Sequence, residues 1–96
     1  MSRIKEIDLH VDAFITNTSG FSNENLIQLS LERMCYELDN AIEKGNKEIR
    51  FIHGHGTGVL RDRVYSRLRV YQNNGLIESI EPWFFNPAVV NVIINY

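Results

Sequence analysis

Cysteine, proline, long apolar runs and charge of one sign are all scarce in this chain, and each scarcity removes a class of protein. Cys35 is the one cysteine among 96 residues, so no internal disulfide can form and a disulfide-stapled scaffold is excluded. Cys35 falls within a helical apolar stripe, so a buried thiol in a reducing compartment is expected, and with it a cytoplasmic protein. No apolar run approaches the roughly 20 residues of a membrane-spanning helix, so no membrane partner is expected. The opening Met1-Ser2-Arg3-Ile4-Lys5 leads into no apolar segment, which argues against a signal peptide. Prolines number two and glycines six, and no linker, repeat or low-complexity segment is present. The net charge of −2 is too small and of the wrong sign for a protein that coats nucleic acid through its overall charge. No Gly-Lys-Ser/Thr follows the glycine-rich loop, which excludes a P-loop.

What is present reads as one small folded domain. Apolar residues make up 44% of the chain and aromatics 10%, enough for a single core. Ile4 to Leu9 is strand-like, and the stretch from Asp12 to Phe21, with Asn17, Thr18, Ser19 and Gly20, reads as a loop. Ser22 or Asn23 caps a first helix whose stripe is Leu31, Met34, Cys35, Leu38 and Ile42; Gly45-Asn46 stops it. Glu48 to His53 is a second strand. A second helix begins near Thr57 or Gly58, with Leu60, Val64, Leu68 and Tyr71 on one face, and ends at Asn73-Asn74-Gly75. Leu76 to Phe84 is expected as a third strand, irregular at Pro82. Val89 to Tyr96 is the fourth, almost continuously apolar and so expected to be central and covered. The order β-α-β-α-β-β, with right-handed crossovers, predicts an α/β two-layer sandwich: a four-stranded mixed sheet with both helices on one face. Leu31, Met34, Leu38, Phe51, Val64, Leu68, Val92 and Ile94 are the expected core.

Two constellations carry chemistry. In Asp8-Leu9-His10, strand alternation places the carboxylate and the imidazole on one face, where the carboxylate can orient the imidazole and raise its basicity. Such a short pattern also fits a strand end whose polar groups satisfy loop backbone. The second is His53-Gly54-His55-Gly56-Thr57-Gly58-Val59-Leu60-Arg61, between a strand and a helix. Backbone amides of such a loop, beside the positive end of a helix dipole, suit an anion and most often a phosphate. A tight ligand-free turn would use the same glycines. The spacing is G-x-G-x-G and not the G-x-G-x-x-G of a dinucleotide site. After the loop come Arg61, Arg63, Arg67 and Arg69 against Asp62, a patch suited to phosphate oxygens or an ordinary solvated helix face. His10, His53 and His55 could be read as zinc ligands, but one cysteine and the lack of His-Glu-x-x-His disfavour that reading, and no metal or other cofactor is expected. If the first two strands are parallel neighbours, His10 and His53 end at one carboxyl edge, where open α/β sheets bind ligands.

Taken together, Asp8-Leu9-His10 and, some forty residues on, His53-Gly54-x-Gly56-x-Gly58-Val59-Leu60-Arg61 resemble the small MutS-related (Smr) domain, from Ile7 to about Ile94. The resemblance implies a fold like the C-terminal domain of translation initiation factor three and a single domain over residues 1–96. The insert from Val11 to Ser22 resembles versions found at the C-terminus of larger bacterial proteins. Smr domains accompany recombination-control proteins and factors acting on mRNA at stalled ribosomes, so DNA or RNA, and ribosome association, are the implied partners. Many are endonucleases or nicking enzymes. By the resemblance, Asp8 and His10 fall where cleavage chemistry is placed, and His53, Gly54 and Gly56 where the nucleic-acid backbone binds. Two departures bear on activity more than on fold: Val11 stands where glycine is frequent, narrowing backbone access, and Asn86-Pro87-Ala88 replaces a glycine-rich segment.

The expectation is therefore a metal-independent nuclease acting on DNA or RNA phosphodiesters. Asp8, His10, His53 and His55 would be catalytic; Gly54, Gly56, Thr57, Gly58, Arg61, Arg63 and Arg67 would hold the phosphate. The alternatives are a nucleic-acid-binding module that cleaves nothing and a protein-interaction domain.

Overall fold

The computed structural model describes residues 4–11, 20–56 and 58–95; residues 12–19 of the expected first loop, Thr57 and Tyr96 lie outside them. In chain order the elements are β1 (Lys5–Asp8), α1 (Asn23–Glu43), β2 (Glu48–Ile52), α2 (Val59–Asn73), β3 (Ser79–Pro82) and β4 (Val89–Ile93). They form one sheet in the order β1-β2-β4-β3, with β1 and β2 parallel and the other two pairs antiparallel. This is the four-stranded mixed sheet expected from the sequence.

Local chemistry sets the helix ends. The Ser22 hydroxyl accepts the Asn25 amide at 3.1 Å and caps α1. At its other end the Asn46 amide donates to the Ala41 carbonyl at 3.0 Å and Gly45 to Ile42 at 3.1 Å. This closure requires a left-handed residue, and Gly45 supplies it at φ +75°.

Strand alternation then divides the sheet into two faces. Ile7, Ile49, Phe51, Val90 and Val92 are buried and form one cluster with Leu31, Met34 and Leu38 of α1 and Val64 and Leu68 of α2. Both helices therefore cover the same face. All eight side chains expected in the core are buried. Full burial stabilises each large apolar side chain by about 1.5–3 kcal/mol. The other face carries a polar row besides Ile52, Val89 and Ile93. Glu6, Arg50, Asn91 and Glu81 stand side by side across the four strands, and the Arg50 guanidinium meets Glu6 at 3.5 Å and donates to Asn91 at 2.7 Å.

Three strand expectations need correction. β3 starts at Ser79 and not at Leu76, because the Leu76 amide still donates to Tyr71 and closes α2. It ends at Pro82, where the chain turns so that the Asn86 amide reaches the Trp83 carbonyl at 3.2 Å. β4 ends at Ile93, since the Ile94 and Asn95 amides both leave the ladder for the Lys47 carbonyl. It is central, as expected, but only its Val90 and Val92 side is sealed by helices; Asn91 and Ile93 are half-buried.

Candidate nucleic-acid interface

The parallel pairing of β1 with β2 brings the two motifs to one sheet edge. Asp8 lies opposite Ile52, and the Leu9 amide continues the ladder to the Ile52 carbonyl at 2.9 Å. Leu9 is fully buried, and its carbonyl accepts the buried Ser30 hydroxyl of α1 at 2.6 Å. His10 therefore starts from a backbone held by sheet and helix together.

The Asp8 carboxylate takes two bonds from His10, one from the backbone amide at 2.9 Å and one from Nδ1 at 2.7 Å. A carboxylate is an acceptor, so Nδ1 carries the proton in the neutral ring and Nε2 carries the lone pair. Burial pushes the Asp8 carboxyl up, but the two His10 bonds, the charge of His10 and the nearby Arg33 outweigh it and hold the group below its ordinary range. The carboxylate thus stays ionised to orient the imidazole. The free Nε2 end lies against Gly54. A Cβ placed on Gly54 would stand 2.7 Å from His10 Cε1, inside any real contact, and Gly54 also has φ +85°. The conformation favours glycine there, and any larger residue would also displace the His10 ring.

The loop is pinned from the other side by β4. The amides of His53 and Gly54 both donate to the Ala88 carbonyl, at 2.9 and 3.1 Å. Gly58, at φ +93°, begins α2 with no side-chain cap, so the first-turn amides keep their capacity for an outside acceptor. A cleft of about 400 Å³ opens here. It is lined by His10, Gly54, Gly56, Gly58 and Arg61, by the apolar Leu26, Ile27, Val59 and Leu60, and by Asn23 at the start of α1. The Arg61 guanidinium sits close to Gly58 and touches Asp62 at 3.3 Å.

Several expected site residues stand elsewhere. His53 lines the cleft but is only 4% exposed. Its Nδ1 donates to the Gly54 carbonyl at 2.9 Å, its ring meets Tyr65 edge-on at 6.1 Å, and its buried Nε2 has no hydrogen-bond partner among the described residues. Burial lowers its basicity, the Gly54 bond restores part of it, and the charges of Arg61, His55 and His10 lower it further. His53, expected among the catalytic residues, is thus nearly buried beneath the loop, with Nδ1 on the Gly54 carbonyl and its ring against Tyr65. His55 is exposed and lies outside the lining of the cleft. Arg63 and Arg67 lie outside the cleft lining and are engaged by α1. Arg63 forks onto the Glu24 carboxylate at 3.1 and 3.3 Å, and Arg67 donates to Cys35 Sγ at 3.5 Å, so both tie α2 to α1. Thr57 lies outside the described residues. Among the described residues no three His, Cys, Asp or Glu side chains converge as a metal site.

Sequence reasoning missed Asn23, Leu26 and Ile27 as cleft walls and Arg33 as a neighbour of Asp8. The helical spacing of Leu26 and Ile27 marks them as apolar positions, but nothing local says that they flank a loop some thirty residues away.

These features define a small two-layer α/β domain with a histidine–carboxylate pair and a glycine loop on one sheet edge. The chain belongs to the Smr domain family, whose profile matches residues 27–92. The matched residues include the glycine loop but not Asp8 and His10, which the fold places beside it. The chain is 32% identical over 89 residues to the endonuclease MutS2 of Brevibacillus brevis, an alignment that takes in 74% of this chain and 11% of that protein. It thus spans about a ninth of the relative's length. The crystal structure of the Smr domain of Thermus thermophilus MutS2 superposes with a TM-score of 0.69 at 24% identity, over 97% of this chain and all of that domain. The fold is that of an Smr domain, and the family ties the chain to nuclease-related, nucleic-acid-binding domains.

Proposed function

We propose that the chain binds a nucleic-acid backbone across the glycine loop and cleaves RNA there, with His10 as general base. The carrying observation is the Asp8–His10 pair, whose lone-pair nitrogen is held over Gly54 at the mouth of the cleft. A phosphate at the amides of Gly56 and Gly58 would face the Arg61 guanidinium and the N-terminus of α2, both suited to the charge that grows in the transition state. His10 Nε2 takes the proton of the ribose 2′ hydroxyl. The 2′ oxygen attacks the phosphorus and the P–O5′ bond breaks, leaving a 2′,3′-cyclic phosphate. The departing 5′ oxygen is protonated by water at the open mouth of the cleft. A positioned general base contributes about 10²–10⁴-fold to such a step.

The test is incubation of the purified chain with end-labelled single-stranded RNA, the same strand with 2′-deoxy sugars, and supercoiled plasmid, each with and without EDTA. RNA cleavage that persists in EDTA, ceases with the 2′-deoxy strand and falls at least about 10²-fold in His10→Ala, with binding retained, is the expected result. Cleavage of plasmid or deoxy strand unaffected by His10→Ala defeats it. A binding-only module is the second reading. It is favoured by the sealed position of His53, which leaves His10 as the exposed imidazole of the cleft lining, with no paired acid beside it among the described residues. Salt-sensitive binding without cleavage of any of these substrates would establish it.

A further inference from the structure

The hairpin between β3 and β4 carries Trp83, Phe84 and Phe85, which the reading above leaves unused. Phe84 is 91% and Phe85 81% exposed, the two most exposed large apolar side chains among the described residues. The rings are ordered against one another. Phe84 meets Phe85 edge-on at 5.3 Å, and Phe85 meets Trp83 edge-on at 6.3 Å. Trp83 is anchored in turn by Arg50 of β2, whose guanidinium lies over the indole ring at 4.2 Å. The hairpin returns to the sheet at Ala88, whose carbonyl accepts the amides of His53 and Gly54. The aromatic turn and the glycine loop therefore share one sheet edge. β2 and β3 are separated only by β4, so the strand ends lie two strand spacings apart, roughly 10 Å.

We infer that Phe84 and Phe85 are a stacking platform for unpaired bases of the strand whose phosphate lies at the glycine loop, which makes single-stranded nucleic acid the preferred ligand. The inference rests on the backbone-binding reading above. Its own support is the character of the patch. Flat rings near a loop of exposed backbone amides are what single-strand binders present, because every base offers a π face and every nucleotide a phosphate. A protein partner fits less well. The sheet face beside the rings carries the charged and polar row Glu6, Arg50, Asn91 and Glu81. Two phenylalanines bordered by charge fall far short of the roughly 1,200–2,000 Å² that a stable interface buries.

The experiment is fluorescence anisotropy with a labelled single-stranded RNA, the same strand with abasic sites, and a blunt duplex. Each is titrated with the unaltered chain, with Phe84→Ala, Phe85→Ala and Phe84→Trp, and with Arg61→Ala. Circular dichroism of each variant confirms the fold, since both rings are at the surface. Phe84→Ala and Phe85→Ala are each expected to weaken single-strand binding by about 5- to 150-fold, with Phe84→Trp near the unaltered affinity. The abasic strand should bind the unaltered chain at least as weakly as the intact strand binds either alanine variant, and duplex affinity should not respond to the rings. Equal affinity for abasic and intact strands, or alanine variants that bind as before while Arg61→Ala still weakens binding, overturns the platform and leaves the backbone site standing. A loss of self-association in the alanine variants, seen by sedimentation and without change in RNA affinity, assigns the patch to a second copy and also overturns it. Absence of salt-sensitive binding by the unaltered chain defeats both readings.

Discussion

Gly54→Ala separates what a backbone conformation costs from what a close approach costs, and Gly45 provides the reference. Both glycines are left-handed, at φ +75° for Gly45 and +85° for Gly54. A Cβ at Gly45 meets nothing within 4 Å, so Gly45→Ala incurs the left-handed strain alone, about 1–2 kcal/mol. A Cβ at Gly54 runs into the His10 ring, which must swing away and give up its bond to Asp8. That bond is half-exposed, so its loss adds only about 1 kcal/mol, bringing Gly54→Ala to about 2–3 kcal/mol. For a domain of this size each kcal/mol moves the midpoint of thermal unfolding by roughly 4–8 °C. Thermal melts followed by circular dichroism should therefore show a drop about 4–8 °C larger for Gly54→Ala than for Gly45→Ala. The double-mutant cycle sharpens the test. Once His10→Ala has removed the ring, Gly54→Ala should cost no more than Gly45→Ala, while the cost of Gly45→Ala should be the same in either background. Equal melting drops for the two glycine variants, or a cost for Gly54→Ala that persists in the His10→Ala background, would refute the placement of His10 over the loop.

Arg61→Ala should weaken RNA binding and reduce the slope of log affinity against log salt by about 1, whereas Arg63→Ala should leave the slope alone, because Arg61 lines the cleft and Arg63, forked onto Glu24, does not. Removing that exposed ion pair should cost no more than about 1 kcal/mol in a urea melt. His53 predicts a pH dependence of stability. Unfolded, it takes up a proton near 6.5; folded, burial and neighbouring charges keep it neutral to lower pH. Between those values the unfolded chain binds more protons, so the stabilisation is complete above about 6.5 and is lost as pH falls. His53→Leu should flatten urea midpoints between pH 7 and 5, and an unchanged slope would show that the ring is not sealed. Ser30→Ala leaves the buried Leu9 carbonyl without its side-chain donor and should cost about 1–3 kcal/mol, with the His10 ring resonances shifted in the NMR spectrum.

The sequence by itself determined the elements and the local chemistry. Alternation set Asp8 and His10 on one side of a strand, the three- and four-residue spacing of Leu31, Met34 and Leu38 set the buried stripe of α1, and Ser22 and Gly45 set its ends. These follow from backbone period and short-range hydrogen bonding, which a chain carries in its order. Strand limits were less legible, because β3 ends where a turn closes on Trp83 and β4 where Lys47 captures two amides, and both depend on a partner. Tertiary structure alone decided which groups are free to act. Arg63 is claimed by Glu24, 39 residues away in sequence, and Arg67 by Cys35, 32 away, so half of the arginine run became packing between helices. His53 reads like His10 in the sequence, but it was sealed beneath the loop against Tyr65, while parallel pairing of β1 with β2 left His10 at the surface over Gly54. The physical reason is that a polar side chain's availability depends on what desolvates it and what competes for its hydrogen bonds, and both are set by residues distant along the chain.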